Sequence, residues 1–167
     1  MKALKGPLIG KLKSCRGQSV VEAALVLPLL ILLLCGILDF GWIYMNQYKV
    51  DYASYSGARY GSITLQKTLD EDNSRDIADQ AFSNLFGYSE GQSLNVTQIT
   101  RNQEYRVTAL LKDGSTAVCR VSLDPQERRV SVSVESDVTI LTFVAGTAFH
   151  GKTYRADSVS VASVFAE

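Results

Sequence analysis

The stretch RGQSVVEAALVLPLLILLLCGILDFGWIY, residues 16–44, decides how the rest of the chain is read. From Ala23 to Leu38 there are 16 residues without a charge, and from Val20 to Ile43 the apolar segment is 24 residues long. A helix of about 20 residues crosses the hydrocarbon core of a bilayer, so one crossing is feasible. Trp42 and Tyr44 stand at the far end, where amphipathic aromatics favour the membrane–water interface. A secretory signal peptide is the competing reading. The run is longer than a usual signal core, no small-x-small cleavage site follows it, and it passes without a break into an amphipathic stretch. These features predict a retained span.

The charges support one orientation. Residues 1–17 hold Lys2, Lys5, Lys11, Lys13 and Arg16 and no acid. The other 150 residues carry the remaining 12 basic residues against 17 acidic ones, a net −5. Lys and Arg just before a span stay on the cytoplasmic side, which puts the bulk of the chain outside the cytoplasm. An acidic globular part argues against nucleic-acid binding. Cys15, Cys35 and Cys119 fall before, within and beyond the span, so an intramolecular disulfide is not expected. Cys119 lies in the alternating run AVCRVSL and reads as a small packed apolar residue. Nothing near His150 or the cysteines has metal-ligand spacing.

Glu22 is costly inside an apolar helix unless it is paired or close to the headgroups. A helix starting near Gln18 would favour a negative charge in its first turns. Pro28 removes one hydrogen bond within the span and favours a kink. Gly36 and Gly41 allow close helix approach, and Asp39 reads as a plain interfacial residue.

The basic head, Gly17, the four residues to Glu22 and the apolar run together resemble a type IV-like prepilin leader. More closely, the segment resembles the N-terminus of TadE-like pilus-assembly proteins, which are pseudopilins of the tight-adherence (Flp) system. The likeness is carried by Gly17 and Glu22 at Gly-x-x-x-x-Glu spacing and by Pro28 in the ALVLPLLILLL core. Gly36, Ile37, Asp39, Phe40 and Gly41 in GILDFG add to it, and ASYSGARYGS extends it to about residue 62. TadF-like and TadG-like relatives share this leader style. Ala23 stands where major pilins commonly carry an aromatic, and the chain is far longer than a major Flp pilin. Both departures favour a minor, assembly-type member.

The resemblance implies a division into a leader (1–17), a transmembrane helix with its amphipathic extension (18–62) and an extracytoplasmic α+β domain (63–167). It implies cleavage after Gly17 by prepilin peptidase, which leaves Gln18 as the new N-terminus. A residue without a Cβ lets the backbone extend into a tight cleft. The freed amine of one subunit would then meet Glu22 of its neighbour and offset the burial of both charges. The implied partners are prepilin peptidase, other pilins or pseudopilins, an inner-membrane assembly platform and membrane lipid. The implied location is a bacterial inner membrane, crossed once, with entry into the pilus tip or base. The alternative is an unprocessed single-span protein holding an extracytoplasmic binding or sensor domain. No motif supports an enzyme or a cofactor.

Beyond the span, Tyr44, Tyr48, Tyr52 and Tyr55 recur at spacings of four, four and three, one helical stripe. Ala53, Gly57 and Gly61 form a small-residue face suited to packing against the chain's own domain. Arg59 suits a helix C-terminus. A second helix is predicted with Asp72, Asn73 or Ser74 as cap and an apolar stripe of Ile77, Ala78, Ala81, Phe82, Leu85 and Phe86, ending at Gly87. The cluster Asp70, Glu71, Asp72, Asp76 and Asp79 lacks the glycine and terminal glutamate of an EF-hand and reads as a solvated acidic turn. LNVTQIT, YRVTALL, AVCRVSL, VSVSVES and SVSVASVF alternate as strands, with turns at Lys112–Ser115 and Asp124–Glu127. Residues 139–144 read as a buried strand or short helix, and 146–152 as a loop. Asn95 opens a sequon inside a strand and carries little weight. The expected architecture is a long N-terminal helix packed on a C-terminal antiparallel sheet, a pilin-like α+β fold.

Overall fold

The computed structural model describes residues 15–65, 68–100, 103–141 and 153–164, with side chains from Ser19 onward. Helix α1 (Cys15–Thr64) is followed by α2 (Glu71–Phe82) and five strands: β1 (Asn95–Thr100), β2 (Glu104–Leu110), β3 (Thr116–Asp124), β4 (Arg129–Thr139) and β5 (Thr153–Ser163). The strands form one antiparallel meander in the order β1-β2-β3-β4-β5. This is the α+β arrangement that the hydrophobic pattern predicts.

Alternation decides which face of the sheet is covered. In β3 and β4 every second side chain is buried. Register aligns them in rows: Val107, Cys119 and Val134 form one, and Tyr105, Val121 and Val132 the next. Cys119 is packed as expected, and burial pushes its thiol up to about 12, so it stays protonated and inert. Both predicted turns form. Gly114, with φ +82, closes the β2–β3 turn, where Asp113 Oδ1 accepts from the backbone N–H and hydroxyl of Ser115 at 3.0 and 2.6 Å. That bonding holds the Asp113 carboxyl below the usual carboxylate range. Asp124 Oδ1 organises the β3–β4 turn by accepting from the N–H groups of Gln126 and Glu127.

Helix α2 starts one turn earlier than predicted. Asp70, in extended backbone, is the N-cap and accepts from Asn73 N at 2.8 Å; Asp72, Asn73 and Ser74 already lie inside the helix. The acidic cluster therefore caps and flanks a helix N-terminus, where negative charge is favoured. The helix ends at Phe82 with Ser83 as C-cap, so Leu85 and Phe86 lie beyond it. Leu85 is buried and Phe86 is partly exposed. Tyr88 folds back and donates its hydroxyl to Asp79, and burial raises the Tyr88 pKa.

Two further expectations are corrected. Helix α1 is described from Cys15 onward. It continues past Arg59 to Thr64, because nothing in RYGSIT breaks it, and Arg59 therefore sits on an exposed turn and caps nothing. Asp39 is not interfacial in the plain sense: it is 2% exposed. In addition, β4 ends at Thr139 and β5 begins at Thr153, earlier than SVSVASVF alone suggests. Ile140 is buried and Leu141 exposed, while residues 142–144, 146–152 and His150 lie outside the described residues.

Helix α1 packs over β4 and β5, and α2 covers the β2–β3 side. Small residues make the first approach close. A Cβ on Gly57 would meet Ala81 Cβ and Val132 Cγ1, both at 3.1 Å, and one on Gly61 would meet Ile77 Cδ1 and Val130 Cγ2 at 3.2 Å. Ser54, fully buried, donates to Asp51 O and shares hydroxyl bonds with Ser158 and Ser160 of β5 at 3.1 and 2.9 Å. These bonds satisfy hydroxyls that would otherwise be costly to bury.

The exposed helix and its junction with the domain

From Ser19 to Leu38 every side chain of α1 is exposed except Cys35, which is half-buried. From Ser19 onward, Asp39 is the first buried residue on the helix. The apolar part, Val20–Leu38, is about 28 Å long at 1.5 Å per residue, close to the roughly 30 Å of a hydrocarbon core. A helix that is apolar all round and covered by nothing has its counterpart in lipid. Helix α1 passes through Pro28 without interruption, as the other helix bonds hold across the one the proline removes.

Above Asp39 the same helix changes character. Trp42 Nε1 donates to Thr139 O at 3.1 Å, and its ring stacks on Phe86 at 5.5 Å. Lys49 Nζ stands 3.3 Å over the other aromatic partner, Phe86. Asn46 Nδ2 donates to Trp42 O, and Gln47 Nε2 reaches Asp157 O of β5 at 2.9 Å. The helix is thus tied to the sheet within one turn of its lipid-length segment.

The face turned away from the sheet is continuous. Tyr44, Tyr48, Tyr52 and Tyr55 are 50–68% exposed, and the rings of Tyr52 and Tyr55 are tilted by 40° with centroids 6.5 Å apart. The same spacing of four, four and three runs on to Arg59 and Ile63, and back through Gly41, Ile37, Leu33, Leu30 and Val26 to Glu22. All of these positions are exposed. Eleven residues in three turns is 3.67 per turn, nearly the period of a straight helix, so one line of side chains extends from the carboxylate to the top of the domain. In the leucine-rich part this period is invisible in the sequence, because every neighbouring position is apolar too.

Gly17 and Gln18 lie within α1, and Glu22 follows one turn above Gln18. The bond between Gly17 and Gln18 is therefore helical here. Among the described residues Glu22 has no ion-pair partner, and no group of three or more His, Cys, Asp or Glu side chains could hold a metal. The stack of Trp42, Phe86 and Lys49 was not foreseeable, since it joins residues 44 positions apart.

Uninterrupted helix, basic approach to Gly17, Glu22 five residues on and the exposed stripe above it form one unit. Residues 17–59 match the TadE-like protein family. The TadE-like segment thus covers the lipid-length helix and most of its packed continuation, and stops before α2 and the sheet. No curated protein and no solved structure matches the chain significantly. The TadE-like match points to a tight-adherence (Flp) pilus system, and among the described residues α1 is the one helix long and apolar enough to cross a membrane.

Proposed function

We propose that this protein is a minor pseudopilin of a tight-adherence (Flp, type IVc) pilus, processed by prepilin peptidase after Gly17 and acting in assembly or at the pilus tip or base. The observation that carries this reading is the exposed face of α1, which places Glu22 and the tyrosines on one line that the described residues of the chain's own domain leave uncovered. A subunit whose long helix packs beside those of other pilins or pseudopilins has a use for such a face. Residues 1–17 are the cytoplasmic leader, 18–62 the permanent helix and 63–167 the periplasmic part, held at the inner-membrane assembly platform before incorporation. Cleavage generates an α-amino group on Gln18 at the depth of a neighbour's Glu22. Pairing offsets the desolvation of both charges, which is otherwise several kcal/mol per ion, roughly. The protein acts as substrate and building block, with no catalytic role.

The mature N-terminus tests this. Expressed with an active prepilin peptidase, the chain should begin at Gln18, and Gly17→Ala should leave it about 17 residues longer and outside the pilus fraction. A chain that still begins at Met1 beside an active peptidase sinks the proposal in favour of an unprocessed single-span anchor.

A further inference from the structure

Helix α1 fixes the height of the domain above the lipid. It is a single element that serves both as the apolar span and as a core member of the domain, with no linker between the two roles. The domain therefore cannot drift from the surface as a tethered module could. The lipid-length segment ends at Leu38, so Trp42, one turn on, stands at the headgroup boundary.

Three other elements end at that same level. Strand β4 descends along α1, with Val130 beside Gly61, Val132 beside Gly57 and Thr139 bonded to Trp42, and Leu141, two residues on, lines the same recess as the tryptophan. Helix α2 runs antiparallel to α1, from Ile77 beside Gly61 to Ala81 beside Gly57, and Phe86 stacks on Trp42. The β2–β3 turn is held there by the Lys112 N–H bond to Gly87 O at 3.0 Å. Around Trp42 the domain thus turns an apolar rim outward, with Phe86 40% and Leu141 60% exposed. An open recess of about 360 Å³ lies behind the rim, with Lys49, Asp113 and Asp137 in its lining. Its charges are of both signs.

We propose that this end of the domain docks on the phospholipid headgroups of the leaflet it faces. Phe86 and Leu141 enter the headgroup–acyl boundary beside Trp42, and the recess accepts one zwitterionic headgroup. Phosphate meets Lys49, and ammonium meets Asp137, whose Oδ1 also pairs with Arg155 at 3.4 Å. Aromatic and long apolar side chains favour that boundary, and juxtamembrane lysines favour phosphate. The proposal rests on α1 spanning the bilayer, and the experiment separates the two.

Trp42 is the only tryptophan in the chain, so it is a built-in depth probe. The full chain is reconstituted in phosphatidylethanolamine–phosphatidylcholine vesicles containing phosphatidylcholine brominated either near the glycerol or near the acyl ends. Trp42 fluorescence reports the span. Phe86→Trp and Leu141→Trp, each in a Trp42→Phe background, report the domain, and Gln126→Trp in the same background marks its far end. Phe86→Trp and Leu141→Trp should each show at least half the quenching seen at Trp42, stronger with the shallow bromines, and Gln126→Trp almost none. Leu141 is exposed, so its replacement tests the idea even if the Phe86 variant misfolds. Quenching at Trp42 with none at residues 86 and 141 overturns the docking while leaving the span intact. No quenching anywhere, Trp42 included, removes both.

Discussion

The two halves of α1 share one backbone and little else. The lower half, residues 19–38, is leucine-rich on every side and nearly every side chain is uncovered. The upper half, residues 39–64, buries a narrow face of Asp39, Asn46, Val50, Ala53, Ser54, Gly57, Ala58 and Gly61 and leaves the opposite face to the tyrosines. The difference teaches that two solvents select two kinds of helix surface. Lipid accepts apolar side chains all round and asks for no pattern, whereas a sheet accepts one stripe and asks for small residues to come close. Serine pairing with β5 shows that even polar groups suit the upper face if their bonds are met, as Ser54 does.

The largest effect that could break this comparison belongs to Gly57. Its Cβ position is squeezed between α2 and β4, so Gly57→Leu should lower the unfolding free energy of the domain by about 3 kcal/mol. A denaturant titration of the full chain in detergent, followed by circular dichroism, measures it. A smaller loss would show that α2 can back away from the helix. Next comes a matched pair on the same helix. Val50→Ala, at 1% exposure, should cost about 2 kcal/mol in that titration, while Leu30→Ala, at 53%, should cost less than about 0.5. Equal costs would mean that the lower half belongs to the fold and not to the lipid. Below the Val50→Ala effect comes Asp70→Ala, which removes the α2 cap and should cost about 1 kcal/mol. A null result there would show that packing against α1 alone holds α2 in place.

Several features were readable because their cause is local. Alternating β-branched residues announce strands at nearly the observed positions, and Lys-Asp-Gly-Ser and Asp-Pro-Gln-Glu announce turns whose aspartates close them. The small-residue face of α1 was legible as well, since only contact with the chain's own domain rewards glycine in a helix there. Misreadings came where a local signal competes with tertiary packing. Asp72, Asn73 and Ser74 are all good caps, yet Asp70 caps the helix and Ser74 is buried inside it on the face of Ile77, Ala78 and Ala81. Arg59 looks like a helix end, yet Ser62 and Leu65 are buried beyond it and draw the helix onward. Asp39 looks interfacial by position alone, and packing buries it.

The sequence by itself determined that one apolar helix of bilayer length follows a basic head, that Gly17 and Glu22 stand five apart beside it, and that an alternating sheet follows. Each of these needs only composition, spacing and period. The tertiary structure alone decided that the helix is shared between lipid and core without a joint. It alone brought Phe86 and Thr139 to Trp42 and left one line of side chains uncovered from Glu22 to Ile63. Those facts depend on which face the sheet occupies, and a face is chosen by the summed packing of α2, β4 and β5, which no short stretch of residues encodes.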